Sequence, residues 1–185
     1  METIDAAQAV IREPAATDAE RWDEFIVAEQ AAVYRGVVPD DFAERQRAQR
    51  DRAARTAAFA HPSTTVRLIA EIDGELVGAV EACDAPAAWE RSLGLADDAP
   101  ADRELGRLYV SERARGTGLA AKLMDAALGA DDAYLWIIDG NERAKRFYAR
   151  RGFVDYGESV AAGPSWGGVS MRRMVRRAGD AAQSN

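Results

Sequence analysis

The chain has 185 residues and a formal net charge of −7. That length suits one domain with a core of its own, and the acidic balance argues against nucleic acid or an anionic membrane as a main partner. One cysteine, Cys83, excludes an internal disulfide and fits a reducing compartment.

Residues 1–7 read as a loose terminus. The opening Met1-Glu-Thr-Ile-Asp lacks the apolar stretch of a secretory leader, so the expected location is cytoplasmic. Gln8 to Glu13 reads as a first strand stopped by Pro14. Thr17-Asp-Ala-Glu20 has the spacing of a capping box. It would open a helix with Ala19, Trp22, Phe25, Ile26 and Val33 on its inner face. Tyr34 to Pro39 is a break, after which Asp40 would cap a second, charge-rich helix reaching about Phe59. Segments 64–72 and 75–83 flank Asp73-Gly74, a hairpin turn signal. Residues 84–102, with Pro86, Trp89 and Pro100, form a long connection of the kind that often carries function.

A strand over 104–110, a helix over 117–129, a strand over 133–138 and a helix over 142–151 follow. Gly152 would stop that helix and Phe153 start another strand. A loop over 157–167, a closing strand over 168–176 and a polar, flexible tail from 178 complete the chain. Residues 8–177 thus read as one domain. No apolar run approaches the roughly 20 residues of a membrane helix. Cys83 is expected to be a small buried residue. The lone His61 and the scattered acids offer no metal-ligand spacing and no Ser-His-Asp set.

The run Arg113-Ala-Arg-Gly-Thr-Gly118 carries the most chemistry. It joins a strand, Glu104 to Val110, to a helix starting near Leu119. Glycines admit close approach to the backbone, and the first amides of a helix lack intrahelical acceptors. The helix dipole favours an anion there, and Arg113 and Arg115 supply donors suited to phosphate oxygens. By itself the hexapeptide is equally a plain strand-to-helix turn.

Thirty residues on, Asn141-x-x-Ala144-x-x-Phe147-Tyr148-x-x-x-Gly152-Phe153 follows the apolar strand Ala133 to Ile138. Together the two segments resemble the GNAT superfamily of acetyl-CoA-dependent N-acetyltransferases. Its pyrophosphate loop reads Gln/Arg-x-x-Gly-x-Gly/Ala, matched by Arg113, Gly116 and Gly118. The resemblance implies an α/β fold with a mixed, mostly antiparallel sheet, a splayed parallel strand pair and helices on both faces. It further implies acetyl-CoA as acyl donor and no metal. Pantetheine would run along Leu108, Tyr109 and Val110. The pyrophosphate would sit on the amides around Arg115, Gly116, Thr117, Gly118, Leu119 and Ala120. Asn141 and Ala144 would meet the pantetheine arm, although Asn141 is equally a helix N-cap.

The transfer needs an amine deprotonated, an oxyanion held and a thiolate protonated. The resemblance gives the last task to Tyr148, whose phenol has an ordinary pKa near about 10. The plain reading places Ala144, Phe147 and Tyr148 on the core face of a helix, and for Phe147 that reading is adopted. The Val110 amide is the oxyanion donor considered. Glu104 at the head of the cofactor strand and Glu81 inside an apolar strand are the candidate bases. Ordinary ion pairing and a water relay are the alternatives for both. Asp84, Asp139 and Glu142 are further acceptor contacts considered. The break near Arg35, the 84–102 connection with Trp89 and the loop with Trp166 would shape the acceptor pocket.

The expected partner is a small-molecule or peptide amine, with the acidic charge favouring a cationic one; a homodimer is the assembly left open. The alternative reading is an acyl-CoA-binding sensor or interaction module without turnover. Rossmann and P-loop glycine patterns are absent.

Overall fold

The computed structural model describes residues 4–61 and 63–179. The chain forms a mixed seven-stranded sheet in the order β1-β2-β3-β4-β5-β7-β6. These strands are Val10–Arg12, Val66–Ile72, Glu75–Asp84, Arg103–Val110, Ala133–Ile138, Val154–Ala161 and Ser170–Arg176 for β1 to β7. β1–β2, β5–β7 and β6–β7 are antiparallel. β4 and β5 are parallel and register at Glu104↔Tyr134. The chain divides into two compact units, one running to Glu81 and resuming over Arg107–Ala127, the other formed by Ala82–Gly106 and the chain from Leu128 onward.

The first unit holds α1 (Ala19–Val33), α2 (Phe42–Ala48), α3 (Arg52–Ala60) and α5 (Leu119–Leu128). Trp22 and Ile26 of α1 pack on Ile69 and Ala79, with Phe25, Phe59, Leu76 and Tyr109 around them. The Trp22 and Phe59 rings meet edge to face at 5.5 Å. One residue earlier on β3, Gly78 faces the opposite way: a Cβ there would stand 2.8 Å from Leu123 of α5. Successive strand residues point to opposite faces, so α1 and α5 cover β3 from both sides.

Several expectations in this unit change. The Thr17–Glu20 box does not form, because Asp18 is held by Arg12 (2.7 Å) and by the Ala15 amide (2.8 Å). A 3₁₀ turn, Ala16–Asp18, leads into α1 instead. Val33 is exposed, and Val27 and Gln30 are the buried residues of the later turns. The single helix expected over 40–59 is two helices. Asp51 is extended and accepts from the Ala54 amide at 2.9 Å, which starts α3 afresh. Asp40 is not the cap; Asp41 precedes α2 and pairs with Arg45 one turn on. The hairpin turn is as expected, with Asp73 and Gly74 both at positive φ (52° and 77°). Ile4 donates its amide to the Arg113 carbonyl at 3.2 Å, and Ala6 is buried in a 3₁₀ turn; residues 1–3 of the expected loose terminus lie outside the described residues.

The second unit holds α4 (Ala88–Ser92) within the long connection and α6 (Glu142–Ala149). Its core includes Leu105, Tyr134, Leu135, Phe153, Met171 and Met174. Glu90 of α4 is fully buried and gathers donors from the Ala87 amide, Tyr134, Trp136 and Arg173. The Arg173 guanidinium also lies 4.5 Å from the Trp136 ring centroid and caps the Asp98 carbonyl at 2.9 Å. The connection is therefore pinned, not loose. Trp89 packs edge to face on Trp136 at 5.7 Å.

The loop expected from Gly157 is a continuation of β6. Gly157 takes φ 68° in an irregularity between Tyr156 and Val160, after which pairing resumes at Val160↔Met171. Phe147 is half-buried, carrying Arg151 at 5.7 Å from its ring, so it is not the core residue expected. Cys83 is likewise only half-buried. Of the expected polar tail, residues 180–185 lie outside the described residues, while the Ala178 amide donates to Asp132. No helix among the described residues is long and apolar enough to cross a membrane.

Candidate functional site

The glycine run is built by two tight turns. Glu112–Ala114 forms a 3₁₀ turn after β4, tied back by Ala114 N to Ser111 O at 2.9 Å. Thr117 closes the next turn, its hydroxyl donating to the Ala114 carbonyl at 2.7 Å. Gly116 and Gly118 hold φ of 82° and 88°, a region that side chains with a Cβ rarely adopt. Nothing lies within 4 Å of where a Cβ would stand at either glycine. The backbone is thus bare on that side, open to a ligand.

The first helical bond of α5 is Lys122 N to Gly118 O at 3.1 Å, so the amides of Leu119, Ala120 and Ala121 precede the helical ladder. Leu119 N approaches the Thr117 hydroxyl at a long 3.4 Å. Both flanking arginines are tethered to carboxylates: Arg113 to Glu75 at 2.5 Å and Arg115 to Glu29 at 3.1 Å. Burial raises the pKa of Glu29 above the usual carboxylate range, against the pull of Arg115. Leu108, Tyr109 and Val110 occupy the last three places of β4, and Ser111 N beyond them donates to Val77 O at 2.9 Å. These cofactor candidates share the first unit.

The second motif lies in the other unit. Asn141 caps α6, accepting from the Ala144 amide at 3.1 Å, so the N-cap reading of Asn141 holds whatever else it does. Tyr148 is half-buried, edge to face with Phe147 (5.2 Å) and Phe153 (5.7 Å). Gly152 takes φ 80°, and Phe153 N returns to the Tyr148 carbonyl at 3.1 Å, which ends the helix.

The two candidate bases sit in different surroundings. Glu81 is buried among Arg67 (2.6 Å), Arg55 (3.4 Å) and Arg107. Burial pushes its pKa up, but Arg107, Arg67 and Arg55 together outweigh burial and hold it at about 2. Glu104 is also buried, with the Cys83 thiol 4.0 Å from its carboxylate. Tyr134 nearby is pushed far above the ordinary phenol range, first by burial, then by its bond to Glu90 and by the charge of Glu104.

Of the remaining acids, Asp84 pairs with Arg103 at 2.8 Å. Asp139 accepts from Arg172 and from Ser170 at 2.5 Å each, and Arg172 chiefly holds its pKa down at about 2. Glu81 is thus closed off by its arginines, whereas Asp84 stays largely exposed beside Arg103. The arginines around Glu81, and Glu90 itself, carry no linear signal: they come from separate elements with no motif spacing. No group of three or more His, Cys, Asp or Glu among the described residues is placed to hold a metal ion.

A strand, a glycine turn with positive-φ glycines and a helix whose first amides precede its own ladder make an arrangement suited to an anion. The family model described as acetyltransferase (GNAT) matches residues 22–153, and the chain belongs to that family. An uncharacterized N-acetyltransferase of Archaeoglobus fulgidus is 41% identical over 91 residues, covering 44% of this chain and 55% of that protein. The chain thus spans about half the length of this curated relative.

Among solved structures, a GCN5-related N-acetyltransferase of Rhodopseudomonas palustris superposes with a TM-score of 0.64 at 21% identity, covering 96% of this chain and 98% of that one. The PaiA N-acetyltransferase of Thermoplasma acidophilum, in complex with coenzyme A, gives 0.60 at 17% identity, over 89% and 97% of the two chains.

Proposed function

We propose that the chain is an acetyl-CoA-dependent N-acetyltransferase that moves an acetyl group to a primary amine by direct attack in a ternary complex. The observation that carries the reading is the run from Arg113 to Ala120. Its positive-φ glycines, its open backbone side and the amides at the start of α5 that precede the helical ladder fit a pyrophosphate. A relative of the same fold that binds coenzyme A supports it.

In this reading the amides from Arg115 to Ala120 and the guanidinium of Arg115 hold the phosphates. Leu108, Tyr109 and Val110 offer backbone groups to the pantetheine arm, as an added strand would use them. Asn141 and Ala144 meet that arm from α6. The bound donor supplies an acetyl group activated as a thioester. The Val110 amide donates a hydrogen bond to the carbonyl oxygen as charge develops there. The Tyr148 phenol gives its proton to the leaving sulfur.

An ammonium near about pKa 10 must first lose a proton. Glu81, held at about 2, is far too weak a base for that work. We therefore assign the task to Glu104, directly or through water. The acceptor is a small molecule or peptide, and the domain responsible spans residues 8–177.

Titration calorimetry with acetyl-CoA, followed by coenzyme A thiol release across an amine panel that includes peptides, tests the reading. Micromolar binding with turnover on an amine is the expected result. Binding without turnover on any amine would instead favour a sensor module, and no binding would remove both.

A further inference from the structure

A cavity of about 380 Å³ opens in the first unit, between α1, α2, α3 and Arg107 of β4. That volume lies in the range of small-molecule sites. Four guanidinium groups, those of Arg50, Arg55, Arg67 and Arg107, surround two buried carboxylates, Asp23 and Glu81. Asp51 on the cavity wall adds a third carboxylate, but one of its oxygens is committed to capping α3 at the Ala54 amide.

Counting all three acids, the cluster keeps a positive charge in excess inside a chain whose net charge is −7. The pKa values of Arg50 and Arg55 are pulled below the ordinary guanidinium value, by burial first and also by Arg107. Two lining residues also carry buried donors that have no acceptor, Nε of Arg50 and Nε2 of Gln46. An unmatched buried donor is costly, and an anion with several lone pairs relieves both the charge and the donors. Guanidinium is suited to a planar carboxylate.

We infer that this cavity receives a carboxylate of the amine acceptor, so that the enzyme prefers amines that carry a carboxylate at a distance, such as short peptides and ω-amino acids. The inference rests on the acetyltransferase reading above, in which Leu108 to Val110 flank the acyl donor. Arg107 immediately precedes that segment. At a strand rise of about 3.3 Å per residue, it lies roughly 10 Å along β4 from Val110. At about 3.3 Å per residue, a peptide of about three residues can bridge that span from carboxylate to amine, as can an ω-amino acid of similar length. This differs from the cationic acceptor that the acidic charge of the whole chain suggests, because the field at this cavity is set by its own arginines.

The test uses matched acceptors: triglycine against triglycinamide, and 6-aminohexanoate against 6-aminohexanamide, with 3-aminopropylphosphonate as the phosphate-like arm. Within each pair the amine is remote from the changed group, so its intrinsic reactivity is nearly the same and a preference reports the carboxylate. For the wild-type chain, kcat/KM by thiol release should favour at least one carboxylate over its amide by about tenfold to a hundredfold. In Arg50→Gln that ratio should fall toward one, and Arg50→Lys should restore part of it.

Amides used as well as carboxylates would overturn the inference, and so would a phosphonate preferred over every carboxylate. Should acetyl-CoA bind but no amine turn over, the acetyltransferase reading fails by itself. Calorimetry with triglycine and 6-aminohexanoate then decides the cavity. Binding that is lost in Arg50→Gln supports the carboxylate site, and no binding to the wild-type chain overturns it.

Discussion

At the scale of single residues, Tyr148 and Glu104 carry the sharpest consequences. Tyr148 packs its ring between Phe147 and Phe153, so Tyr148→Phe keeps those edge contacts and removes only the hydroxyl. Acetyl-CoA affinity should then hold, while turnover should fall about 10²–10⁴-fold if the phenol delivers the proton. A full kcat with chemistry rate-limiting, seen in single-turnover thiol release, would leave Tyr148 as a packing residue only. Glu104→Gln should lower kcat/KM most at low pH, where the ammonium dominates, and should leave acetyl-CoA affinity in place. Equal pH–rate profiles for variant and parent would transfer the base role to a water relay. The glycine run and the Asn141–Phe153 motif were legible because each is contiguous, even though several of their residues admit a purely structural use. The surroundings of Glu81 were not, since Arg55, Arg67 and Arg107 reach it from α3, β2 and β4. Linear spacing says nothing about such a meeting.

At the scale of elements, the loop before α5 depends on backbone conformation more than on side chains. A Cβ at Gly118 meets nothing within 4 Å, but φ of 88° is strained for any residue that carries one. A β-branched residue there should rotate the backbone out of this region, moving the amides of Leu119 and Ala120. Gly118→Val is therefore expected to weaken acetyl-CoA binding at least tenfold by calorimetry. It should lower the melting point only modestly, since strain of this kind costs about 1–2 kcal/mol. Unchanged affinity in a folded variant would separate the loop from the cofactor. The same contrast explains which elements could be read in advance. The Asp73-Gly74 hairpin and strand β5 declare themselves through turn chemistry and a continuous apolar run. The division of residues 40–60 into two helices hangs on one aspartate, Asp51, choosing a cap over a helical place. The extension of β6 past Gly157 hangs on pairing with β7, a tertiary effect that outweighs the loop-like composition of 157–161.

At the scale of the whole molecule, arginine–carboxylate networks set the response to acid. In the first unit, Asp18 and Glu71 share Arg12 and Arg21, and bonds from Arg12 are the largest influence lowering both pKa values. Glu81 stands at about 2 in that unit, and Asp139 stands at about 2 in the other. A carboxyl whose folded pKa lies below its unfolded value binds fewer protons when folded. Its contribution to stability is complete above the unfolded pKa, near about 4, and drains as pH falls toward the folded one. Glu29, raised by burial, acts in the opposite sense, favouring the folded state as it takes up a proton. With Asp132 also lowered, by the Ala178 amide and Arg177, the depressed carboxyls outnumber the one raised, so the melting temperature should decline from about pH 5 downward in a circular dichroism series. Glu81→Gln isolates one share of that decline. At pH 7 the variant leaves three arginines without their buried anion, a loss of about 3–5 kcal/mol. As pH approaches 2, parent Glu81 itself becomes neutral and the two proteins come to resemble each other. The gap between their stabilities should therefore narrow through the range from about 4.5 to 2. A gap that stays constant across that range would mean that Glu81 is not held ionised by its arginines.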